Sequence, residues 1–337
     1  MKVIVDNKIP YIREALAELA DEVVYLPGKA FTPDIVRDAD ALITRTRTLC
    51  NRDLLAGSKV QFIGTATIGF DHIDTAYCKE AGIIWSNCPG CNAGAVEQYI
   101  HSVLLLLQQE KGLKLKNACI GIVGVGHVGS RIKQLAERLG MKVLLNDPPR
   151  EAQGEGGFTD LQALAQCCDV ITFHTPLVKQ GDFPTFHLAD ESFFASLQRQ
   201  PYIINTSRGE VIDENALREA LNKGLIKDAV IDVWEHEPNI ALDLLNRIFI
   251  GTPHIAGYSA DGKANATRMT LEALCKHFGK EMRFTILPPE MPHPPFDSNE
   301  DIRQLQIYDP RRDCTELRSH PELFEQLRGD YPLRREY

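Results

Sequence analysis

The sequence predicts an α/β protein made of two doubly wound parallel-sheet domains, and three observations carry that prediction. Short apolar runs alternate with helical patterns from the first residues to about residue 280, as expected of a parallel sheet with helices on both faces. One such run, Ile120 to Val123, ends in Gly124-x-Gly126-x-x-Gly129. The alternation is complete once before that turn and again after it. At 337 residues the chain is long enough for two domains and a small third piece.

In chain order, Val3-Ile4-Val5 reads as a strand and Ile12 to Ala20 as an amphipathic helix. Val23 to Tyr25 is a strand, Thr32-Pro33-Asp34 starts a short helix with proline at its first position, and Ala41 to Thr44 is a strand. Leu54-Leu55 sit on a helical turn, Phe62 to Thr65 is a strand, Asp71 to Lys79 is helical and closed by Gly82, and Ile83 to Trp85 is a strand. A long helix from about Ala93 to Gln109 carries the apolar stretch Val103 to Leu107, which suggests burial between domains.

Next comes the glycine turn, a helical pattern from Ser130 to Leu139, and the run Val143 to Leu145 ending at Asn146-Asp147. Strand, glycine turn, helix, strand and acid in this order form a dinucleotide fingerprint. Gly124 permits the tight turn, Gly126 lets backbone approach a pyrophosphate, and Gly129 lets helix and strand pack closely. The helix N-terminus favours phosphates, with His127 and Val128 in the loop. Asp147 would bind the ribose hydroxyls and repel a 2′-phosphate, so NAD is favoured over NADP, although Arg150 lies close by.

Beyond Asp147, strands are expected at Val170 to His174, Tyr202 to Asn205, Asp228 to Val233 and Ile248 to Pro253. Helices are expected at Leu161 to Ala165, Glu191 to Leu197 and Glu214 to Lys223. A helix from Lys263 to Phe278 returns to the first domain. The expected organisation is two Rossmann-like or flavodoxin-like domains with a cleft between them. Residues 1–92 and 262–284 form the substrate domain, 93–261 the NAD domain, and 285–337 a C-terminal segment. That segment opens with the proline-rich connector Leu287 to Pro295, followed by Ile302 to Tyr308, Arg311-Arg312-Asp313 and a helical pattern from Pro321 to Arg328. It is too small for its own core and must pack on the body or on another subunit.

Composition narrows the function. The chain is 44% hydrophobic and 25% charged, with a net charge of -9 and no basic block, which argues against nucleic acid as a partner. No apolar stretch is long enough to cross a bilayer, and the N-terminus runs straight into a strand rather than a signal peptide. Nine cysteines without framework spacing suit a reducing cytoplasm. Cys88-Pro89-Gly90-Cys91 has no second pair at ligand spacing, so no metal is expected.

Ligands of open α/β sheets bind beyond the carboxyl ends of the strands. Three segments stand there: Asn205 to Gly209, Asp232 to Pro238 and Thr252 to Tyr258. Removing hydride from an alcohol carbon needs a base, a group that tunes it and a cation for an acidic substrate. His254 suits the base, Glu237 can pair with it, and Arg208 offers a planar fork for a carboxylate. His236 is a rival base whose side chain would point elsewhere. His174 reads as a packing or cofactor-edge residue.

On these motifs, together with Pro253-His254-Ile255-Ala256-Gly257 and Thr206-x-Arg208-Gly209, residues 1 to 280 resemble the D-2-hydroxyacid dehydrogenase family. The resemblance implies that Arg208, Glu237 and His254 form the catalytic set, that Asp232 lies near the nicotinamide, and that Thr175, Thr206, Ser207 and Gly257 line the cofactor site. Further segments narrow it: Gly64 to His72, Cys88 to Ala93, Asp147 to Arg150, Phe173 to Leu177 and His254 to Tyr258. They are similar to members that oxidise 4-phosphoerythronate on a bacterial route to pyridoxal phosphate. The tail, notably Tyr308-Asp309-x-Arg311-Arg312-Asp313 and Tyr331 to Arg335, resembles a dimerisation segment, which implies a homodimer.

A phosphorylated substrate demands donors for a second anion. Arg45, Thr46, Thr67 and Tyr258 are the candidates, with Arg311 or Arg312 of a partner subunit as a further source. The rival readings are another hydroxyacid dehydrogenase, such as one acting on phosphoglycerate, and a dinucleotide-sensing corepressor.

Overall fold

The computed structural model describes residues 1–283, 285–290 and 295–336. Residues 291–294 of the proline-rich connector, Phe284 and Tyr337 lie outside them. Two compact units are formed among the described residues: 1–92, 259–290 and Glu336 in the first, and 93–258 and 295–335 in the second.

The first unit holds five parallel strands, β1 (Lys2–Asp6), β2 (Glu22–Leu26), β3 (Ala41–Thr44), β4 (Phe62–Thr65) and β5 (Ile84–Ser86), in the order β2-β1-β3-β4-β5. Alternate residues feed alternate faces, as the two-residue strand period requires. Val3, Val5, Ala41, Ile43 and Phe62 pack under the helices Arg13–Leu19 and Ala260–Phe278, while Ile4, Leu42 and Ile63 join Val36, Leu54 and Cys78 on the other face. The helix Ala260–Phe278 lies so close to β4 that a Cβ on Gly64 would stand 2.6 Å from a Thr270 methyl.

The second unit holds six parallel strands, β6 (Cys119–Val123), β7 (Lys142–Asn146), β8 (Val170–Phe173), β9 (Tyr202–Asn205), β10 (Asp228–Ile231) and β11 (Ile250–Gly251). Their order is β11-β10-β9-β8-β6-β7. The chain leaves β6 toward β7 on one side and returns to β8 on the other. The β6/β8 boundary is therefore the switch point where doubly wound sheets take ligands. The long helix Ala93–Lys111 belongs to this unit, and its Val103 to Leu107 are all fully buried, packed with Ile120, Ile122 and Ile132.

Several elements depart from the sequence expectation. The glycine-turn helix begins at His127, three residues early, because Gly126 serves as its N-cap. The last strand pairs only over Ile250–Gly251; Arg318 takes the carbonyls of Leu245 and Ile248. Helices Pro148–Ala152, Leu242–Arg247 and Pro310–Ser319 were not expected. The last of these covers the open edge at β11, where Gly251 N–H donates to Cys314 Sγ at 3.4 Å, so the tail closes an otherwise bare strand edge. Among the described residues, no helix is long and apolar enough to cross a membrane, and all nine cysteines are free thiols.

Candidate active site

The glycine turn is built as its spacing demands. Gly124 has φ +86°, and a Cβ on it would stand 2.8 Å from the His174 carbonyl. A Cβ on Gly129 would stand 2.0 Å from Gly124 O, so only glycine allows the helix to dock there. Around Gly126 a Cβ would meet nothing within 4 Å, which leaves room for a phosphate beside the first-turn amides of the helix His127–Arg138. His127 is exposed and Val128 half-buried at this turn. Thr175, packed on the turn from the β8 side, buries its Oγ1 with no hydrogen-bond partner among the described residues. Open space at Gly126 and an orphaned hydroxyl at Thr175 fit a dinucleotide.

Asp147 sits where β7 ends. Its carboxylate accepts from Val125 N at 2.8 Å and Arg150 N at 3.2 Å, so it braces the glycine turn. Arg150 donates to Val125 O and is ion-paired with Glu155. Its charge is thus met within the protein.

Arg208, Glu237 and His254 follow β9, β10 and β11, three adjacent parallel strands spaced about 4.8 Å apart, and so emerge at one sheet edge. Gly209 brings the first two loops together, since a Cβ there would stand 2.0 Å from Trp234 O. Asn205 shapes the Arg208 turn: its amide donates to Arg208 O at 2.9 Å, and its oxygen accepts from Ser207 N and Oγ. The Arg208 guanidinium donates to Ser207 O at 2.7 Å. Thr206 Oγ1 lies 3.2 Å from His174 Nδ1, and Thr172 Oγ1 lies 2.9 Å from Nε2 of the same ring. Desolvation drives the His174 pKa down to about 3.

His254 has φ +57°, held by its own N–H donating to Asp232 O at 2.8 Å and Thr252 O at 3.0 Å. Its Nδ1 lies 2.8 and 3.1 Å from the two Glu237 oxygens. That contact places the proton on Nδ1 and leaves Nε2 as the acceptor. Burial pushes the Glu237 carboxyl up, but the His254 contact and charge, the Trp234 amide at 3.0 Å and nearby Arg328 outweigh it, and its pKa is lowered. Asp232 is buried and turned into the His254 loop, where it accepts from Thr252 Oγ1 (2.7 Å), Ile255 N (2.8 Å) and Ala256 N (3.0 Å); burial raises its pKa. Gly257 continues the loop, half-buried. His236 is not part of the His254–Glu237 contact.

Two arginines escaped the sequence reading. Arg328 donates to Glu237 Oε2 at 3.3 Å and to the Tyr258 hydroxyl at 3.4 Å. Arg334, 7% exposed, donates to the carbonyls of Ile255 (3.2 Å), Ala256 (2.7 Å) and Ala95 (3.2 Å) and to Gln98 Oε1 (2.8 Å), and stacks 3.9 Å over Tyr308. Both lie in the tail, and nothing local in the sequence ties them to a loop 70 residues earlier. Arg311 is paired within its own chain with Asp309 and Glu110, each at 2.6 Å, and Arg312 is exposed.

In the first unit, Arg45 and Thr46 follow β3 and Thr67 follows neighbouring β4. Arg45 Nε lies 3.3 Å from buried Asp6, Thr46 is exposed, and Thr67 Oγ1 is linked to Thr65 Oγ1 at 2.7 Å and Gly69 O at 2.8 Å.

Residues 96–256 match the model of the D-isomer specific 2-hydroxyacid dehydrogenase NAD binding domain. The chain is 63% identical to the erythronate-4-phosphate dehydrogenase of Bacteroides fragilis, over 100% of this chain and 97% of that protein. It is 45% identical to that of Porphyromonas gingivalis, over 100% and 94%. Among solved structures it is similar to the NAD+-bound 3-phosphoglycerate dehydrogenase of Entamoeba histolytica, at 28% identity and a TM-score of 0.67, covering 85% of this chain and 98% of that one. The chain belongs to the NAD-dependent, D-isomer-specific 2-hydroxyacid dehydrogenases and, within them, to the erythronate-4-phosphate dehydrogenase family.

Proposed function

We propose that this chain oxidises 4-phospho-D-erythronate to 2-oxo-3-hydroxy-4-phosphobutanoate, a step toward pyridoxal 5′-phosphate, as a homodimer in the cytoplasm. The observation that carries the chemistry is the His254 Nδ1 to Glu237 contact at 2.8 Å, at the same sheet edge as the glycine turn. The substrate rests on the 63% identity to a relative of that name across the whole chain.

NAD, held at Gly124, Gly126, His127, Val128, Gly129, Asp147 and Thr175 with Thr206, Ser207, Asp232 and Gly257 nearby, supplies the hydride acceptor. Arg208 binds the substrate carboxylate in a two-pronged contact. His254 Nε2 takes the C2 hydroxyl proton as the C2–H bond breaks and the carbonyl forms, and Glu237 stabilises the resulting imidazolium. Arg45, Thr46, Thr67 and Tyr258 are assigned to the phosphate. Arg311 is not assigned to it, because Asp309 and Glu110 of its own chain already hold it. The experiment is NADH formation with a panel of 2-hydroxy acids: 4-phospho-D-erythronate should exceed erythronate and 3-phosphoglycerate in kcat/KM. Equal turnover of the unphosphorylated acid would overturn the substrate assignment.

A further inference from the structure

The C-terminal segment delivers a cation to the Glu237–His254 pair. The last turn of the short helix Phe324–Gly329 carries Arg328, whose Nη1 lies 3.3 Å from Glu237 Oε2, the same oxygen that stands 2.8 Å from His254 Nδ1. Its Nε reaches the Tyr258 hydroxyl at 3.4 Å. The side chain is only 28% exposed, and Phe324 on the same helix is anchored in the core. The contact is therefore held by packing rather than by a free surface arm.

We propose that Arg328 is a positioning residue of the candidate active site: by holding the outer oxygen of Glu237 and the Tyr258 hydroxyl, it makes the tail a working part of the pair that serves His254. This rests on the dehydrogenase reading above. One carboxylate bridges an imidazole and a guanidinium, so the two nitrogens are no more than about 6 Å apart, close enough for their charges to act on one another. The charged and titratable groups acting on the pair are Asp232, turned into the His254 loop; Tyr258; Arg328 itself; and Glu325, which acts on Arg328; Arg208 follows the next strand, β9. Arg328 lowers the proton affinity of the pair as a whole. Without it, Glu237 loses a neighbouring positive charge, the pair holds a proton to higher pH, and less of the proton-accepting form remains at neutral pH.

The test uses the full chain with NAD and 4-phospho-D-erythronate. In R328Q the acid limb of the kcat/KM profile should move up by about half a pH unit or more, with activity recovering toward alkaline pH; R328K should bring the limb most of the way back to its wild-type position. In an E237Q background, R328Q should give a smaller shift in the same direction, because only the direct charge of Arg328 on the imidazole is then lost. Proton uptake by the imidazole in the NAD-free protein, followed by NMR, should move the same way and needs no substrate. It therefore reads Arg328 even if the phosphorylated acid proves not to be turned over, an outcome that would defeat the substrate assignment alone. An unmoved limb and NMR titration with a raised KM would make Arg328 a substrate ligand and overturn the proposal. An even loss of kcat at every pH, with weakened NAD binding or a lowered melting temperature, would make it structural and also overturn it.

Discussion

Glu237 brackets the imidazole of His254, its two oxygens 2.8 and 3.1 Å from Nδ1, while Oε1 also accepts the Trp234 amide at 3.0 Å. The carboxylate is tied to its own loop and so presents a fixed anion to a ring that grows from the next strand. Replacing it with glutamine keeps size and one acceptor but removes the charge that stabilises the protonated ring. E237Q should lower kcat by about 10² or more while NAD affinity stays within about twofold, checked by steady-state rates and NAD fluorescence titration.

The glycine turn separates packing from ligand binding. G129A forces a Cβ onto Gly124 O and should destabilise the protein by several kcal/mol in urea unfolding, an overpacking cost at the upper end of the about 1–3 kcal/mol range or beyond. G126A meets open space in the protein. It should leave the urea midpoint nearly unchanged yet weaken NAD binding by about tenfold or more if that space is the one the pyrophosphate takes, as proposed. Equal effects of the two variants on stability would contradict the assignment of Gly126 to the pyrophosphate.

His174 sets an acid limit on stability. Desolvation lowers its pKa to about 3, below the unfolded value of about 6.5. Between these values the unfolded chain binds the extra proton and the folded chain does not, so stability falls as pH drops from about 6.5 toward about 3. Protonation would also deprive one of Thr172 and Thr206 of its ring acceptor. H174N should flatten this slope in urea melts taken across pH 4 to 7, though with some loss of stability at pH 7.

Arg334 ties the tail to the His254 loop. R334M would take the guanidinium donors away from three backbone carbonyls and the Gln98 oxygen; Ile255 O keeps the Tyr258 amide and Ala95 O its helix bond, so the loss falls on the Ala256 carbonyl and Gln98. Unfolding free energy should fall by on the order of 3 kcal/mol, measured in urea. A loss below about 0.5 kcal/mol would show that the loop stands without the tail.

The parts legible in the sequence are those whose geometry is local. Gly124, Gly126 and Gly129 fix a turn by spacing, and Arg208, Glu237 and His254 each follow an apolar run that can only be a strand. Arg328 and Arg334 were not legible, because their partners lie about 70 to 240 residues away and only the docking of the tail brings them together. Asp232 was placed at the cofactor by resemblance, yet its carboxylate braces the His254 loop, a role that no strand pattern encodes. The helices Pro148–Ala152 and Leu242–Arg247 are short and have no buried stripe long enough to register as a period.

The most direct test of the central claim is turnover of 4-phospho-D-erythronate by H254Q, read as NADH formation alongside NAD binding. With Nε2 as the proposed proton acceptor, kcat should fall by about 10³ with NAD affinity intact. An H254Q protein that binds NAD and turns over at the wild-type rate would contradict it.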